Sequence, residues 1–279
     1  MWLKKMLKRS GTGKVAVKQV FFVLSTGRCG TRYISNLLDV ASNATVLHQP
    51  QPGCERINPI AYEWFLENRR RYLDMRVEDF PLLQQHAEIY KTVTTPVCGD
   101  CYNSMYPFGI ALFNYFQKLG IDIKFIHLVR NPVACVSSIL RAEGPFGIGE
   151  RKDFKIRAEK LFTATVPAEI ASEIWIGINQ NIEYQMKYIE GKKPGSTKLV
   201  KLEDVQRTEQ LPYIYDLFQW LGCDVPDEHK LLNVMLNEKD DVRHSHQKRL
   251  DDVGIPKVSD NEIAMIINKT GKVAGDFGY

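Results

Sequence analysis

The sequence predicts an α/β protein, a three-layer sandwich in which a central, mostly parallel sheet lies between helices and is entered through a P-loop-like strand-turn-helix. Strand-like runs of β-branched and aromatic residues alternate along the chain with segments whose apolar residues recur at helical spacing. The first run, residues 19–25, leads through a glycine-containing turn directly into such a helix. Because alternating strands and helices form parallel sheets covered on both faces, we expect ligands beyond the carboxyl ends of the strands.

The elements follow from the same two patterns. Four segments have the composition of strands: 19–25, 45–47, 121–129 and 198–202. Helical spacing marks residues 33–38, 57–92, 103–118 and 168–190, and a segment that ends at Leu221-Gly222. Another helix begins at Asn131-Pro132, since Asn is a good N-cap and Pro fits the first helical position. In the segment 57–92, the residues expected to be buried are Tyr62, Trp64, Phe65, Tyr72 and Leu73.

The composition excludes several classes of protein. The chain has 279 residues, of which 44% are hydrophobic and 25% charged, so it is neither disordered nor collagen-like. A formal net charge of +4 suits an anionic ligand but is too small for a nucleic-acid-binding surface. No apolar run approaches the roughly 18 residues of a membrane span. We therefore expect neither a nucleic-acid partner nor an integral membrane segment.

No repeat or linker divides the chain, so we expect a basic, flexible leader over residues 1–18 and a single domain over residues 19–279. The leader lacks the apolar core and cleavage site of a signal peptide. It is either a solvated segment or a short basic turn at an anionic membrane surface. Six cysteines without an export signal predict a reducing compartment, the cytoplasm.

The first turn, residues 25–33 with the sequence STGRCGTRY, has the features of an anion site. Its two glycines permit a tight turn in which backbone N–H groups converge on one ligand, and the following helix adds the positive end of its dipole. Arg28 and Arg32 supply charge, and the threonines supply hydroxyl donors. This composition favours a phosphate site over the alternative, a βα turn whose arginines face solvent.

The turn is not a Walker A loop, whose pattern is G-x-x-x-x-G-K-[ST]. Thr31 follows Gly30 directly, so no lysine stands where it would reach the β- and γ-phosphates. The segment Gly11-Thr12-Gly13-Lys14 precedes the strand, and its backbone therefore cannot cap the helix that follows the strand. A kinase or NTP-hydrolysing function is disfavoured.

A second cationic element follows the strand 121–129. Arg130 stands at the end of this strand, and Ser138 lies two turns into the next helix. A guanidinium and a hydroxyl placed in this way can clamp a second phosphate. Ser137 is the alternative, one residue earlier.

Together the two elements resemble the PAPS-dependent sulfotransferases, a P-loop-like family, in its bacterial-type form. Residues 27–34, GRCGTRYI, are similar to the 5′-phosphosulfate loop of that family, P-K-S-G-T-T-W-L. Residues 125–132, FIHLVRNP, with Ser138 eight residues after Arg130, are similar to its 3′-phosphate element. Residues 199–204, LVKLED, resemble its late YEDL turn, and residues 270–279 resemble its G-Y ending. Residues 51–97 and 143–195 match no part of the family.

The resemblance implies a sulfotransferase that moves a sulfuryl group from 3′-phosphoadenosine 5′-phosphosulfate (PAPS) to a hydroxyl or amine, leaves PAP as product and needs no metal. Arg130 and Ser138 would hold the 3′-phosphate, and Arg28 stands at the position of the family's catalytic lysine. Tyr33 stands at the aromatic position beside the adenine, or is a core residue of its helix. The residues that would hold the 5′-phosphosulfate are Gly27, Arg28, Cys29, Gly30, Thr31 and Arg32.

The family also needs a general base for the acceptor. His48, at the end of the second strand, is the first candidate because its ordinary pKa suits proton transfer near neutrality. Asp100 is the second; it lies in a polar turn before a helix, where it is alternatively a partner of the helix dipole. Cys29, near a helix N-terminus and Arg28, is expected to have a lowered pKa.

Other interpretations remain open. The pair Cys98-x-x-Cys101 lacks the two further ligands of a zinc site, so we expect no metal there. The alternative functions are a phosphotransferase with a degenerate P-loop and a nucleotide-binding module without turnover. The sequence indicates a small-molecule or glycan acceptor without identifying it, and it does not indicate the oligomeric state.

Overall fold

A computed structural model of the chain describes residues 17–48, 76–90, 92–141, 166–237 and 258–279. Its centre is a five-stranded sheet with the order β2-β3-β1-β4-β5, in which every neighbouring pair is parallel. The strands are β1 (Gln19–Leu24), β2 (Ala44–Leu47), β3 (Val97–Asp100), β4 (Asp122–Val129) and β5 (Thr197–Lys201). The predicted α/β class with a parallel central sheet is confirmed.

Helices connect the strands. They are α1 (Thr31–Leu38), α2 (Pro81–Tyr90), α3 (Gly109–Lys118), α4 (Pro132–Leu140), α5 (Pro167–Lys192), α6 (Leu202–Val205), α7 (Leu211–Trp220) and α8 (Asp260–Asp276). Short 3₁₀ turns cover Val77–Asp79, Asn103–Phe108 and Thr208–Gln210, and residues 228–237 are helical as well. As predicted, Asn131 caps α4: its side chain accepts a hydrogen bond from the Ala134 N–H, and Pro132 is the first helical residue.

Two buried apolar clusters lie on opposite faces of the sheet. Alternate residues of β1 divide between them: Phe22 belongs to one cluster, and Phe21 belongs to the other. The long helix α5 contributes to both, with Ile178 in the first cluster and Trp175 in the second. Because side chains alternate across a strand, a sheet buried on both faces requires this division.

Sequence analysis does not predict helix α8 (Asp260–Asp276) or the helical residues 228–237, and among the described strands it does not predict the short strand β3. Asp100 is predicted in a polar turn, but it is the last residue of this strand and is 1% exposed. Gly99 and Asp100 both have low strand propensity, which hides the strand from pattern analysis. Tertiary packing decides instead, because β3 lies between β1 and β2 and the Phe21 ring packs directly over Gly99.

Some predictions fall on parts of the chain outside the described residues. These are the leader up to residue 16 and the apolar residues Tyr62, Trp64, Phe65, Tyr72 and Leu73. Within the described ranges, no helix combines the length and the hydropathy that crossing a membrane requires.

Candidate functional site

The predicted site residues meet at the carboxyl edge of the sheet. The turn 25–30 follows β1, the central strand, which has β3 on one side and β4 on the other. Asp100 ends β3, Arg130 follows β4, and His48 follows β2 beyond β3. Parallel strands bring these four chain positions to one edge, where the rule for α/β sheets places ligands.

Three residues of the turn have left-handed backbone conformations. The φ angles are 76° at Gly27, 55° at Arg28 and 79° at Gly30. Arg28 is the one non-glycine residue with a positive φ among the described residues, and such a conformation costs about 1–2 kcal/mol at an L-residue. The turn therefore holds Arg28 in a strained conformation, as turns at functional sites often do.

Gly30 is both the N-cap of α1 and a point of close packing. A β-carbon there would lie 2.6 Å from Cδ1 of Leu202. Since glycine has no side chain, no side-chain cap occupies the N-terminus of α1. The N–H groups of the first helical turn, with the positive end of the helix dipole, thus face the turn 25–30.

The two cationic elements are in direct contact. The guanidinium Nε of Arg28 donates to Oγ of Ser138 at 3.1 Å. In return, Nη1 of Arg130 donates to the backbone carbonyl of Arg28 at 2.8 Å. The turn after β1 and the element after β4 therefore form one cationic surface, to which α4 contributes the hydroxyl of Ser138.

Charge and burial both act on the Arg28 guanidinium. Burial lowers its pKa from the ordinary 12.5. The negative charge of Cys135 in its ionised form opposes this, and the positive charge of Arg130 lowers the pKa further. An arginine remains protonated at neutral pH in spite of such a shift. Two neighbouring guanidinium groups repel each other, so an anion bound between them would relieve this repulsion.

The prediction that Cys29 has a lowered pKa is wrong. Its side chain is fully buried, with Sγ 3.0 Å from Oγ1 of Thr26 and 3.6 Å from Sγ of Cys135. The hydrogen bond with Cys135 and burial raise the pKa of Cys29 well above its ordinary value. These two effects outweigh the hydrogen bond with Thr26 and the positive charge of Arg130, which lower the pKa of Cys29. Cys29 is therefore a packed thiol beneath the turn.

Arg32 and Tyr33, in the first turn of α1, have different environments. Tyr33 is 4% exposed, and its hydroxyl donates to the carbonyl of Val205 at 2.8 Å. It therefore occupies a core position, which is the alternative that the sequence analysis gives to an adenine contact. Arg32 is exposed to solvent. The positive charge of Arg32 therefore lies on the solvent-facing side of the site.

His48 lies against the start of α1. Its Nε2 is 3.2 Å from Oγ1 of Thr31. Burial lowers the pKa of His48 below the ordinary 6.5, the carboxylate of Asp100 opposes this, and Arg32 lowers the pKa further. The neutral imidazole, which is the form able to accept a proton, is therefore favoured at neutral pH.

Each oxygen of the Asp100 carboxylate accepts a hydrogen bond from the protein. Oδ2 accepts from the Tyr90 hydroxyl, and Oδ1 accepts from the Tyr102 N–H at 2.8 Å. With a side chain that is 1% exposed, this carboxylate affects His48 through its charge.

We predict that His48 titrates with a midpoint below pH 6.5, because burial disfavours the imidazolium. NMR titration of the imidazole resonances measures this, and His48→Gln assigns the signal. Asp100→Asn removes the charge that raises the pKa, so it should move the midpoint to still lower pH. A midpoint at or above 6.5, or an upward shift in Asp100→Asn, would contradict this electrostatic description.

Three residues that sequence analysis did not single out complete the site. Asn103 packs against Gly27, where a β-carbon would lie 3.0 Å from the Asn103 amide nitrogen. Leu202 packs against Gly30, and Glu203 accepts a hydrogen bond from the Asn131 N–H at 2.9 Å. Only tertiary contact brings them to the turn. The resemblance of residues 199–204, LVKLED, to the YEDL turn of the family is the one sequence signal that points toward Leu202 and Glu203.

The described residues contain no group of three or more His, Cys, Asp or Glu side chains arranged to hold a metal ion. Cys98 and Cys101 are fully buried free thiols at the end of β3 and just after it. Burial raises the pKa of each, and the charge of Asp100 adds to this effect. They are therefore held as neutral, packed thiols.

Comparison with known proteins gives matches among solved structures. The chain is similar to a sulfotransferase from Alicyclobacillus acidocaldarius, with a TM-score of 0.45 and 11% identity over 94% of this chain and 96% of that one. It is also similar to the sulfotransferase domain of the Synechococcus PCC 7002 olefin synthase, with a TM-score of 0.45 and 16% identity over 94% of this chain and 98% of that one. No protein-family model and no curated protein matches the sequence.

Proposed function

We propose that this protein is a sulfotransferase that moves a sulfuryl group from PAPS to a hydroxyl, or less readily an amine, of an organic acceptor in the cytoplasm. The donor is a co-substrate with anionic groups at both ends of one adenosine. A protein that binds it needs two cationic sites on a single surface. The described cysteines are free thiols, which suits a reducing compartment.

The contact of Arg28 with Ser138 and Arg130 is the observation that carries this proposal. It joins the turn that resembles a 5′-phosphosulfate loop to the element that resembles a 3′-phosphate site. Gly27 and Gly30 keep side-chain bulk away from the turn, and α1 directs its N-terminus there. This set of donors fits a bis-anionic nucleotide better than it fits Mg·ATP, which calls for a P-loop lysine.

Arg28 would stabilise the leaving group. As the bond between sulfur and the bridging oxygen breaks, its electron pair passes to that oxygen, which becomes part of the 5′-phosphate of PAP. A fixed guanidinium stabilises this developing negative charge electrostatically. It does not donate a proton, because its pKa is too high. We therefore assign Arg28 to charge stabilisation alone.

His48 would accept the proton of the acceptor. The acceptor oxygen forms the new bond to sulfur while its proton passes to a ring nitrogen of neutral His48. Thr31, whose hydroxyl lies 3.2 Å from His48, would hold the imidazole beside the donor loop. We assign Asp100 a supporting electrostatic role, because both its oxygens already accept hydrogen bonds from the protein.

Nucleotide-dependent thermal stability tests the proposal. We expect 3′,5′-ADP to raise the melting temperature more than 5′-AMP or Mg·ATP does, because only 3′,5′-ADP has phosphates for both elements. A ligand at 100 times its Kd adds about 2.7 kcal/mol to the free energy of unfolding, which is easily measured. Arg130→Ala should reduce the response to 3′,5′-ADP to that of 5′-AMP.

The alternative functions give different results in the same experiment. Stronger stabilisation by Mg·ATP, together with ATP turnover, would replace the proposal with a phosphotransferase. Selective binding of 3′,5′-ADP without transfer of ³⁵S from labelled PAPS to any of a panel of phenols, sugars and lipid alcohols would indicate a binding module. Equal responses to all three nucleotides would refute the donor assignment.

A further inference from the structure

Residues 277–279 dock beside the proposed 3′-phosphate element, through a contact that sequence analysis does not predict. The Tyr279 hydroxyl donates to Oε2 of Glu203 at 2.7 Å. The other oxygen of the same carboxylate, Oε1, accepts the backbone N–H of Asn131 at 2.9 Å. Glu203 thus bridges Tyr279 and the residue that immediately follows Arg130.

Four further side-chain contacts hold this docked segment in place. Phe277 is 5% exposed and meets the rings of His127 and Trp175 edge-on. Nζ of Lys201 donates to the carbonyl of Gly278 at 2.8 Å and lies 5.0 Å from the centre of the Tyr279 ring. The Tyr279 hydroxyl is therefore presented to Glu203 by an anchored segment.

The bridge contacts Asn131, which lies between the two residues of the proposed 3′-phosphate site, Arg130 and Ser138. Asn131 follows Arg130 directly and caps α4 through its side chain, while Ser138 lies in the same helix. A shift of the 130–131 backbone would change the direction of the Arg130 guanidinium and the start of α4 together. Residues that do not touch a ligand but fix those that do commonly alter affinity in this way.

The protonation of Tyr279 suits this role. Burial and the hydrogen bond to Glu203 both raise the pKa of Tyr279 far above its ordinary value, so the hydroxyl keeps its proton and remains a donor. Tyr279 is therefore the hydrogen-bond donor of the bridge at neutral pH.

We infer that Glu203 and Tyr279 are positioning residues for recognition of the 3′-phosphate, acting through the Asn131 turn on Arg130 and Ser138. The inference rests on the proposed function, since it concerns the same donor. It predicts that weakening the bridge reduces the preference for a nucleotide with a 3′-phosphate and leaves the 5′-phosphate site intact.

Calorimetric titration with 3′,5′-ADP and 5′-AMP tests the inference, because these nucleotides differ only in the 3′-phosphate. The measured quantity is the ratio of the Kd for 5′-AMP to the Kd for 3′,5′-ADP. Tyr279→Phe keeps the ring beside Lys201 and removes the hydroxyl. We expect it to reduce the ratio about threefold to tenfold, the effect of one lost hydrogen bond, with the Kd for 5′-AMP unchanged.

Two further variants complete the experiment. Glu203→Gln keeps an acceptor for the Asn131 N–H and should reduce the ratio less than Glu203→Ala does. Tyr213→Phe is the matched control, because its hydroxyl donates to the carbonyl of Leu199 in β5, away from the Asn131 turn. That control should leave the ratio unchanged.

The outcomes separate the inference from the proposed function. A ratio near one in the unmodified protein would refute the donor assignment and this inference with it. A high ratio that persists in Tyr279→Phe and Glu203→Ala would overturn the inference alone. The inference would also fail if both Kd values rose by the same factor, because a general loss of structure does not discriminate between the nucleotides.

Discussion

Replacing Gly99 by alanine is expected to lower the free energy of unfolding by about 3 kcal/mol, the upper end of what overpacking a core usually costs. A β-carbon at Gly99 would overlap the tip of the Phe21 ring. Phe21 is fully buried and pairs with Gly99 in the register of β1 and β3, so its ring has no open space to move into. Urea denaturation at constant m-value measures the loss as a lower midpoint.

Two variants make this prediction specific. Gly271→Ala adds the same methyl group within α8, where no atom other than its chain neighbours and its own helix backbone lies within 4 Å of the new β-carbon. It should raise stability by up to about 1 kcal/mol through helix propensity. Phe21→Leu removes the ring atoms that a β-carbon at Gly99 would meet. Gly99→Ala should therefore cost much less in the Phe21→Leu background than alone. Wild-type stability in Gly99→Ala would show that the described packing of β3 against β1 is incorrect.

Replacing Arg28 by alanine is expected to reduce sulfuryl transfer by about 10²–10³-fold, as the loss of one preorganised oxyanion donor does in other enzymes. Binding of 3′,5′-ADP should weaken less, by about tenfold, which corresponds to one charge-assisted contact. The difference arises because most of the charge on the bridging oxygen develops only in the transition state. Transfer of ³⁵S from labelled PAPS and calorimetric titration measure the two quantities.

The backbone at Arg28 provides a matched variant that separates activity from stability. Since its φ is 55°, glycine fits this position without strain. Arg28→Gly should thus be more stable than Arg28→Ala by about 1 kcal/mol and lose transfer to the same extent. Two results would contradict the role of the guanidinium. One is a rate of sulfuryl transfer that is higher in the more stable Arg28→Gly than in Arg28→Ala. The other is a rate near that of the unmodified protein in either variant.

The parts of the fold that sequence predicts are those specified by local residues. The strand β1 and its turn are visible because an apolar run ends in glycines and arginines, and α4 is visible because Asn131-Pro132 is a strong helix start. The strand β3 is not visible, because Gly99 has no side chain to form a pattern and is required only by the ring of Phe21. Contacts with strands distant in sequence, among them the packing of Phe21 on Gly99, accompany that element.

In the candidate site, too, sequence predicts the local motifs but not the contacts that depend on the fold. Arg28, Arg130 and Ser138 can be proposed from motif spacing, but their contact depends on the order of the strands, which places β1 beside β4. The pKa of Cys29 cannot be predicted from the nearby helix start, because its partner Cys135 lies 106 residues away in sequence. Glu203 and Tyr279 lie in two segments that each resemble a family motif, but their hydrogen bond joins positions 76 residues apart, and neither segment alone predicts it.

The central claim is that one adenosine nucleotide is held at both ends by the Arg28 turn and the Arg130–Ser138 element. A crystal structure of the protein with 3′,5′-ADP tests this claim most directly. We predict the 5′-phosphate at the turn 27–31 and the 3′-phosphate against Arg130 and Ser138, with Arg28 turned from Ser138 toward the 5′-phosphate. A nucleotide bound away from this edge of the sheet, or with only one phosphate at these residues, would contradict the claim.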